Sequence, residues 1–161
     1  MKKLIIVMAA IVFTFGQGAF AQTEKGTLML GGNASFESQG GSSAFLLNPN
    51  LGLFVADNFA VGLNATLLTG EGTTVWGLGP YGRAYFGGGE KGKLFAQAGV
   101  NLLGFSNDFG SDTEFGWSVG AGYAIFLNQS IALELGPQYS KFGDDDGRFN
   151  VNVGFQIHFM K

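Results

Sequence analysis

Cysteine is absent from this sequence, so the chain is not a small disulfide-stapled fold and must be stabilised by a core or by closed backbone hydrogen bonding. Charge is scarce as well. Only 13% of residues are charged, whereas a water-facing surface carries roughly a quarter to a third. Past the first 21 residues no apolar run reaches the ~20 residues of a membrane-spanning helix. Histidine occurs once, and no basic patch occurs anywhere. Without Lys2 and Lys3 the balance is seven basic against twelve acidic residues, a net charge of −5, which argues against a nucleic-acid partner.

What is present begins with an export signal. Lys2 and Lys3 precede an apolar run from Leu4 to Phe15, and Ala19, Phe20 and Ala21 have the small-x-small form of a cleavage site. Residues 1–21 are read as a cleaved signal peptide. Residues 22–161 are then one domain of 140 residues, with no linker to divide it.

The last strand shows the pattern of the whole chain. Phe149, Val151, Val153, Phe155, Ile157 and Phe159 alternate with Asn150, Asn152, Gly154, Gln156 and His158, a period of two that puts one face in oil. Seven further segments repeat it, predicting strands near 27–37, 44–55, 59–69, 74–86, 93–105, 114–126, 131–141 and 148–159. Each is long enough to cross a tilted apolar band, which takes about 9 to 11 residues. The fold class is therefore all-β, an eight-stranded antiparallel up-and-down transmembrane β-barrel.

A soluble eight-stranded barrel would put the apolar face inward. Its polar face would then be crowded with Lys and Glu, but here that face holds Gly, Asn, Ser and Gln with scattered charges. Leu30, Leu51, Leu63, Leu78, Val100, Val119 and Leu135 are assigned to lipid. Asn33, Asn48, Asn64, Arg83, Gln97, Glu134 and Gln156 are assigned to the lumen. Trp76, Phe86, Trp117, Tyr123 and Tyr139 lie toward strand ends and fit interfacial girdles.

Two segments carry a family resemblance. Asn48 to Gly62, with Ala56, Asp57 and Asn58 at its turn, resembles the hairpin between strands 2 and 3 of the small outer-membrane β-barrel family, the OmpA/OmpX-like barrels of Gram-negative bacteria. Asn152, Gly154, Ile157 and Phe159 are similar to the β-signal read by the outer-membrane assembly machinery, although Met160 and Lys161 follow the aromatic. The resemblance spans residues 22–161. It implies the outer membrane as location, with its lipid and lipopolysaccharide and, during biogenesis, the assembly machinery as partners. Fold does not give activity, since such barrels include structural proteins, adhesins, pores and lipid-modifying enzymes.

Both termini of an even-stranded barrel lie on the periplasmic side, so Ser38–Ser43, Gly70–Thr73, Ser106–Thr113 and Gly143–Gly147 are expected as short outer loops. Glu37, Arg83 and Glu134 fall in the lumen phase, where charges need partners, and an Arg–Glu bridge is expected there. Asp144, Asp145 and Asp146 are weak metal candidates, for they lack the alternate-ligand spacing of a calcium loop. The glycines inside strands, Gly79 and Gly136 among them, read as close packing and curvature rather than phosphate loops. His158 falls in the polar phase at the periplasmic rim, away from any hydroxyl nucleophile that meets lipid. No enzyme and no cofactor is expected.

The leading expectation is a non-enzymatic barrel with a filled polar lumen and a role in envelope structure or surface interactions. A narrow porin-like channel past Arg83 and Glu134 is the first rival. An adhesin or partner-binding barrel acting through the outer loops is the second, disfavoured by their shortness. A closed barrel leaves no edge to pair, so a monomer is expected.

Overall fold

The alternating segments pair in sequence order, each with the next. The computed structural model describes residues 22–39, 42–70, 73–89, 91–107, 110–143 and 147–159. Its eight strands are β1 (Leu28–Gln39), β2 (Ser42–Ala56), β3 (Phe59–Gly70), β4 (Thr73–Gly89), β5 (Gly92–Asn107), β6 (Gly110–Phe126), β7 (Ile131–Phe142) and β8 (Arg148–Phe159). All neighbours are antiparallel, and β1 closes the barrel on β8, with Leu28 opposite Phe159 and Asn33 opposite Gly154. Closure removes the edge strands, so the backbone groups of the wall are satisfied by the ladder.

Strand ends agree closely with the alternation at the terminal end of the barrel and extend beyond it at the other. The segment 106–113, expected as a loop, is mostly ladder: Ser106 pairs with Ser111 and Asn107 with Gly110. Ser38 likewise pairs with Ser43, and Gln39 with Ser42. The strands thus run further into the β1–β2, β3–β4 and β5–β6 connections than expected, while β7 and β8 leave 143–147 between them as read. Polar residues there continue the backbone pairing of the hairpins.

Alternation sorts the faces as read. Leu63 and Leu102 are more than half exposed on the outer wall, whereas Met29, Phe54, Ala60, Ala124 and Ala132 are fully buried within the barrel. An outer wall of exposed Leu, Val, Ile and aromatic side chains around a polar interior is inverted relative to a barrel that lives in water. Trp76, Phe86, Trp117, Tyr123 and Tyr139 all stand on this exposed wall. The Trp76 ring lies over its register partner Gly104, filling the space a side chain would otherwise take.

The glycines inside the strands serve close approach. A Cβ on Gly79 would lie 1.8 Å from the Val100 carbonyl oxygen, and one on Gly136 would lie 2.0 Å from that of Ala121. Backbone of the neighbouring strand occupies these inward positions, which gives the narrow barrel its curvature.

Local chemistry sets the turns at the terminal end. Asn58 occupies a left-handed conformation, φ 63°, in the two-residue turn between β2 and β3; asparagine tolerates this better than other non-glycine residues. Between β6 and β7 the Asn128 Oδ1 accepts from the amides of Ser130 and Ile131, both at 2.8 Å.

Residues 22–27 fold across that end. The amide of Gly26 donates to the Phe54 carbonyl at 2.8 Å, and that of Asn58 to the Thr23 carbonyl at 2.7 Å. Thr23 donates its hydroxyl to Asn58 Oδ1 at 2.8 Å, and the Lys93 ammonium donates to both Thr23 Oγ1 and Asn58 Oδ1. The Gln22 side-chain amide donates to the Asn128 carbonyl. One short segment thus ties the β2–β3 turn, the start of β5 and the β6–β7 turn together.

Candidate functional site

The lumen holds the chain's polar chemistry. Inward positions on β4, β5 and β7 bring Arg83, Gln97 and Glu134 to one level. Arg83 Nη1 donates to both Glu134 carboxylate oxygens at 2.8 Å and to the Tyr85 hydroxyl at 3.1 Å. Its Nε and Nη2 donate to Gln97 Oε1 at 3.0 and 2.6 Å. The Tyr85 hydroxyl donates in turn to Glu134 Oε1 at 3.1 Å. The guanidinium also lies over the Phe95 ring, 4.7 Å from its centroid. Both ions are buried, and each has its opposite charge and neutral partners, the condition under which buried charge is tolerated.

Sequence reasoning placed Glu37 with this pair; the structure separates them. Arg83 reaches the Met29 sulfur at 3.9 Å. Glu37 lies eight residues further along β1, about 27 Å of strand, where its backbone faces Ala44. Its side chain lies outside the described residues. Alternation gives the face of a residue but not its height, and height decided this partner.

Below the ion pair lies an aromatic layer that the sequence reading missed. Phe54 stacks on Tyr85 with centroids 5.7 Å apart and on His158 at 6.0 Å, and Phe126 meets His158 edge-on at 5.9 Å. His158 occupies the rim register expected for it, yet it is 1% exposed. Among the described residues its ring nitrogens have no hydrogen-bond partner, and no hydroxyl nucleophile or carboxylate is paired with it. A signal was available: Met29, Phe54, Tyr85 and Phe95 are large side chains in the lumen phase, all near the same end of their strands. Polar alternation failing at one height on four strands marks a packed apolar layer.

Above the ion pair is a cavity of about 240 Å³ whose lining includes the carboxamides of Asn33, Asn48, Asn64, Asn101, Gln138 and Asn152 beside apolar side chains such as Val75 and Leu103. Cross-strand rungs order its wall. Asn152 donates to Gln138 Oε1 at 2.7 Å, and Thr66 donates to Asn48 Oδ1 at 2.9 Å. The lumen is therefore a polar vestibule above a floor of one neutralised ion pair and an aromatic layer.

On β8, Ile157 and Phe159 point outward, Asn152 points into the vestibule and Gly154 packs against the Gly32 carbonyl. Asp144, Asp145 and Asp146 lie outside the described residues, as do residues 1–21, Met160 and Lys161.

Solved structures show the same architecture. The N-terminal β-barrel domain of Pseudomonas aeruginosa OprF superposes with a TM-score of 0.68 at 13% identity, over 84% of this chain and 98% of that one. Neisserial surface protein A gives 0.63 at 17% identity, over 83% and 96%. P. aeruginosa OprG gives 0.60 at 14% identity, over 88% and 99%. No protein-family model and no curated protein matches the sequence. The fold is that of the small eight-stranded outer-membrane β-barrels.

Proposed function

We propose that this chain is an integral outer-membrane barrel with a sealed lumen, acting in the envelope as a non-conducting, non-enzymatic structural element. The outer-membrane location follows from the exposed apolar wall, the polar interior and the fold it shares with OprF, Neisserial surface protein A and OprG. The sealed lumen is carried by one observation: the Arg83–Glu134 pair closes the barrel directly above the layer of Met29, Phe54 and His158, all 0–1% exposed. An ion crossing that floor must part a buried pair, at a cost on the order of 3–5 kcal/mol, and then displace packed aromatic rings.

Conductance tests this reading. Residues 22–161, refolded and inserted in a planar bilayer, give no discrete current steps in the wild type. Steps in the wild type whose size changes in Arg83→Ala would sink the sealed barrel and leave the narrow channel in its place. The amide-lined vestibule is the observation that keeps that second reading alive, because it supplies a wetted path down to the ion pair.

A further inference from the structure

The protein does not satisfy the vestibule's polar groups by itself. Four carboxamide atoms on its lining residues, Asn33 Nδ2, Asn64 Oδ1, Asn150 Oδ1 and Gln156 Oε1, are buried and have no hydrogen-bond partner among the described residues. The large majority of buried side-chain polar atoms in folded proteins do have one. Gln156 is 2% exposed, so bulk solvent does not supply its partner. Asn101, Ser118 and Ser140 add buried polar side chains to the same lining, with Ser118 directly opposite Ser140 on the β6–β7 ladder.

The kinds of unpaired atom select the ligand. One is an amide donor and three are carbonyl oxygens. An ammonium would meet the oxygens and leave Asn33 without an acceptor, and a carboxylate would do the reverse. A hydroxyl both donates and accepts, so it meets either kind. Charge gives the same answer, because the charged residues on the lining are Arg83 and Glu134, which neutralise each other. The lining is also two-sided. Val75 and Leu103, both buried, stand on β4 and β5, across the barrel from Asn33 on β1 and from Asn150 and Gln156 on β8. A saturated ring bearing hydroxyls has an apolar C–H face and a polar edge, which match these two sides. At about 240 Å³ the cavity is smaller than the ~300–1,000 Å³ of drug-sized pockets, which limits the ligand to a single ring.

We propose that the vestibule is a binding site for a small neutral polyhydroxylated ring, of the size of one monosaccharide unit. The site goes beyond the sealed-lumen reading and depends only on the closed barrel, so conductance does not decide it. Ordered water would also satisfy the four atoms, but water alone gives no saturable response to a ring, and that difference can be measured.

Residues 22–161, isotope-labelled and refolded in phosphocholine micelles, are titrated in mildly acidic buffer with glucose, glucosamine and glucuronate. These are rings of one size that are neutral, cationic and anionic. The side-chain amide signals of Asn64, Asn150 and Gln156 report on the cavity, and that of Asn128, in the turn between β6 and β7, is the control. Glucose is expected to shift the lumen signals saturably and leave Asn128 unmoved, and the two charged rings to bind about tenfold more weakly. Asn150→Leu, which keeps bulk and removes an unpaired oxygen, is expected to weaken glucose about tenfold. Ser118→Ala, which removes one hydroxyl from another part of the lining, is expected to weaken it several-fold and carries the same test if Asn150→Leu does not refold. No saturable shift, an equal shift at Asn128, or unchanged midpoints in the folded variants overturns the site. Glucosamine or glucuronate binding as tightly as glucose overturns the assignment to a neutral ring.

Discussion

Arg83 on β4 and Glu134 on β7 meet across the lumen at 2.8 Å, although 51 residues separate them in sequence. Two strands stand between them around the wall, so the pair ties opposite sides of the barrel together.

Removing one partner is expected to cost more than removing both. Arg83→Ala leaves a buried carboxylate and Glu134→Gln leaves a buried guanidinium, each a loss of about 3–5 kcal/mol. Arg83→Met with Glu134→Leu, which removes both charges while keeping bulk, is expected within about 1 kcal/mol of wild type. Urea unfolding in micelles, followed by the migration of unheated protein, measures all three. Additive losses in the double variant would mean the pair is not coupled.

Phe54 is the centre of the aromatic layer, with no exposure and with Tyr85 and His158 against it. Its truncation to alanine is expected to cost about 3–5 kcal/mol, yet to leave a planar bilayer silent, because the ion pair above remains. Current steps from Phe54→Ala alone would place the seal in the aromatic layer instead.

Asn58 does two things at once. Its backbone sits at φ 63°, and its side chain accepts from Thr23 and Lys93. Glycine keeps the conformation and loses the bonds; alanine loses both. Asn58→Ala is expected to be less stable than Asn58→Gly by about 1 kcal/mol, and both variants are expected to speed amide exchange over residues 22–27. Unaltered exchange would show that the segment is held without this turn.

Gly79 and Gly82 lie on the same strand with opposite tolerances. A Cβ at Gly79 meets the Val100 backbone oxygen at 1.8 Å, whereas one at Gly82 meets only the Phe59 ring tip, at 3.7 Å. Gly79→Ala is expected to lower the folded yield sharply and Gly82→Ala to leave it near wild type. Equal yields would mean that the strands can separate at Gly79 without cost.

Much of the barrel was legible because β-structure writes its faces into the sequence with period two. Leu28, Leu30, Ile157 and Phe159 alternate on the outside as read, and the β3 and β8 starts fall where the pattern places them. Three of the outer connections were read as longer than the strands leave them, because polar hairpin residues such as Ser106 and Ser111 look like loop although they pair. Glu37 shows the other gap: the alternation read it with Arg83 and Glu134, but its place on β1 is far from Arg83 along the strand.

The sequence by itself determined the eight strands, their inward and outward faces and the polar character of the lumen, since each of these depends on neighbours one or two residues away. Only the tertiary structure decided which residues meet across the lumen, that Met29, Phe54 and His158 pack together near one end, and that residues 22–27 fold over it. Those relations depend on strand register and on closure of β1 against β8, which set the height of every side chain and bring together groups that no local pattern connects.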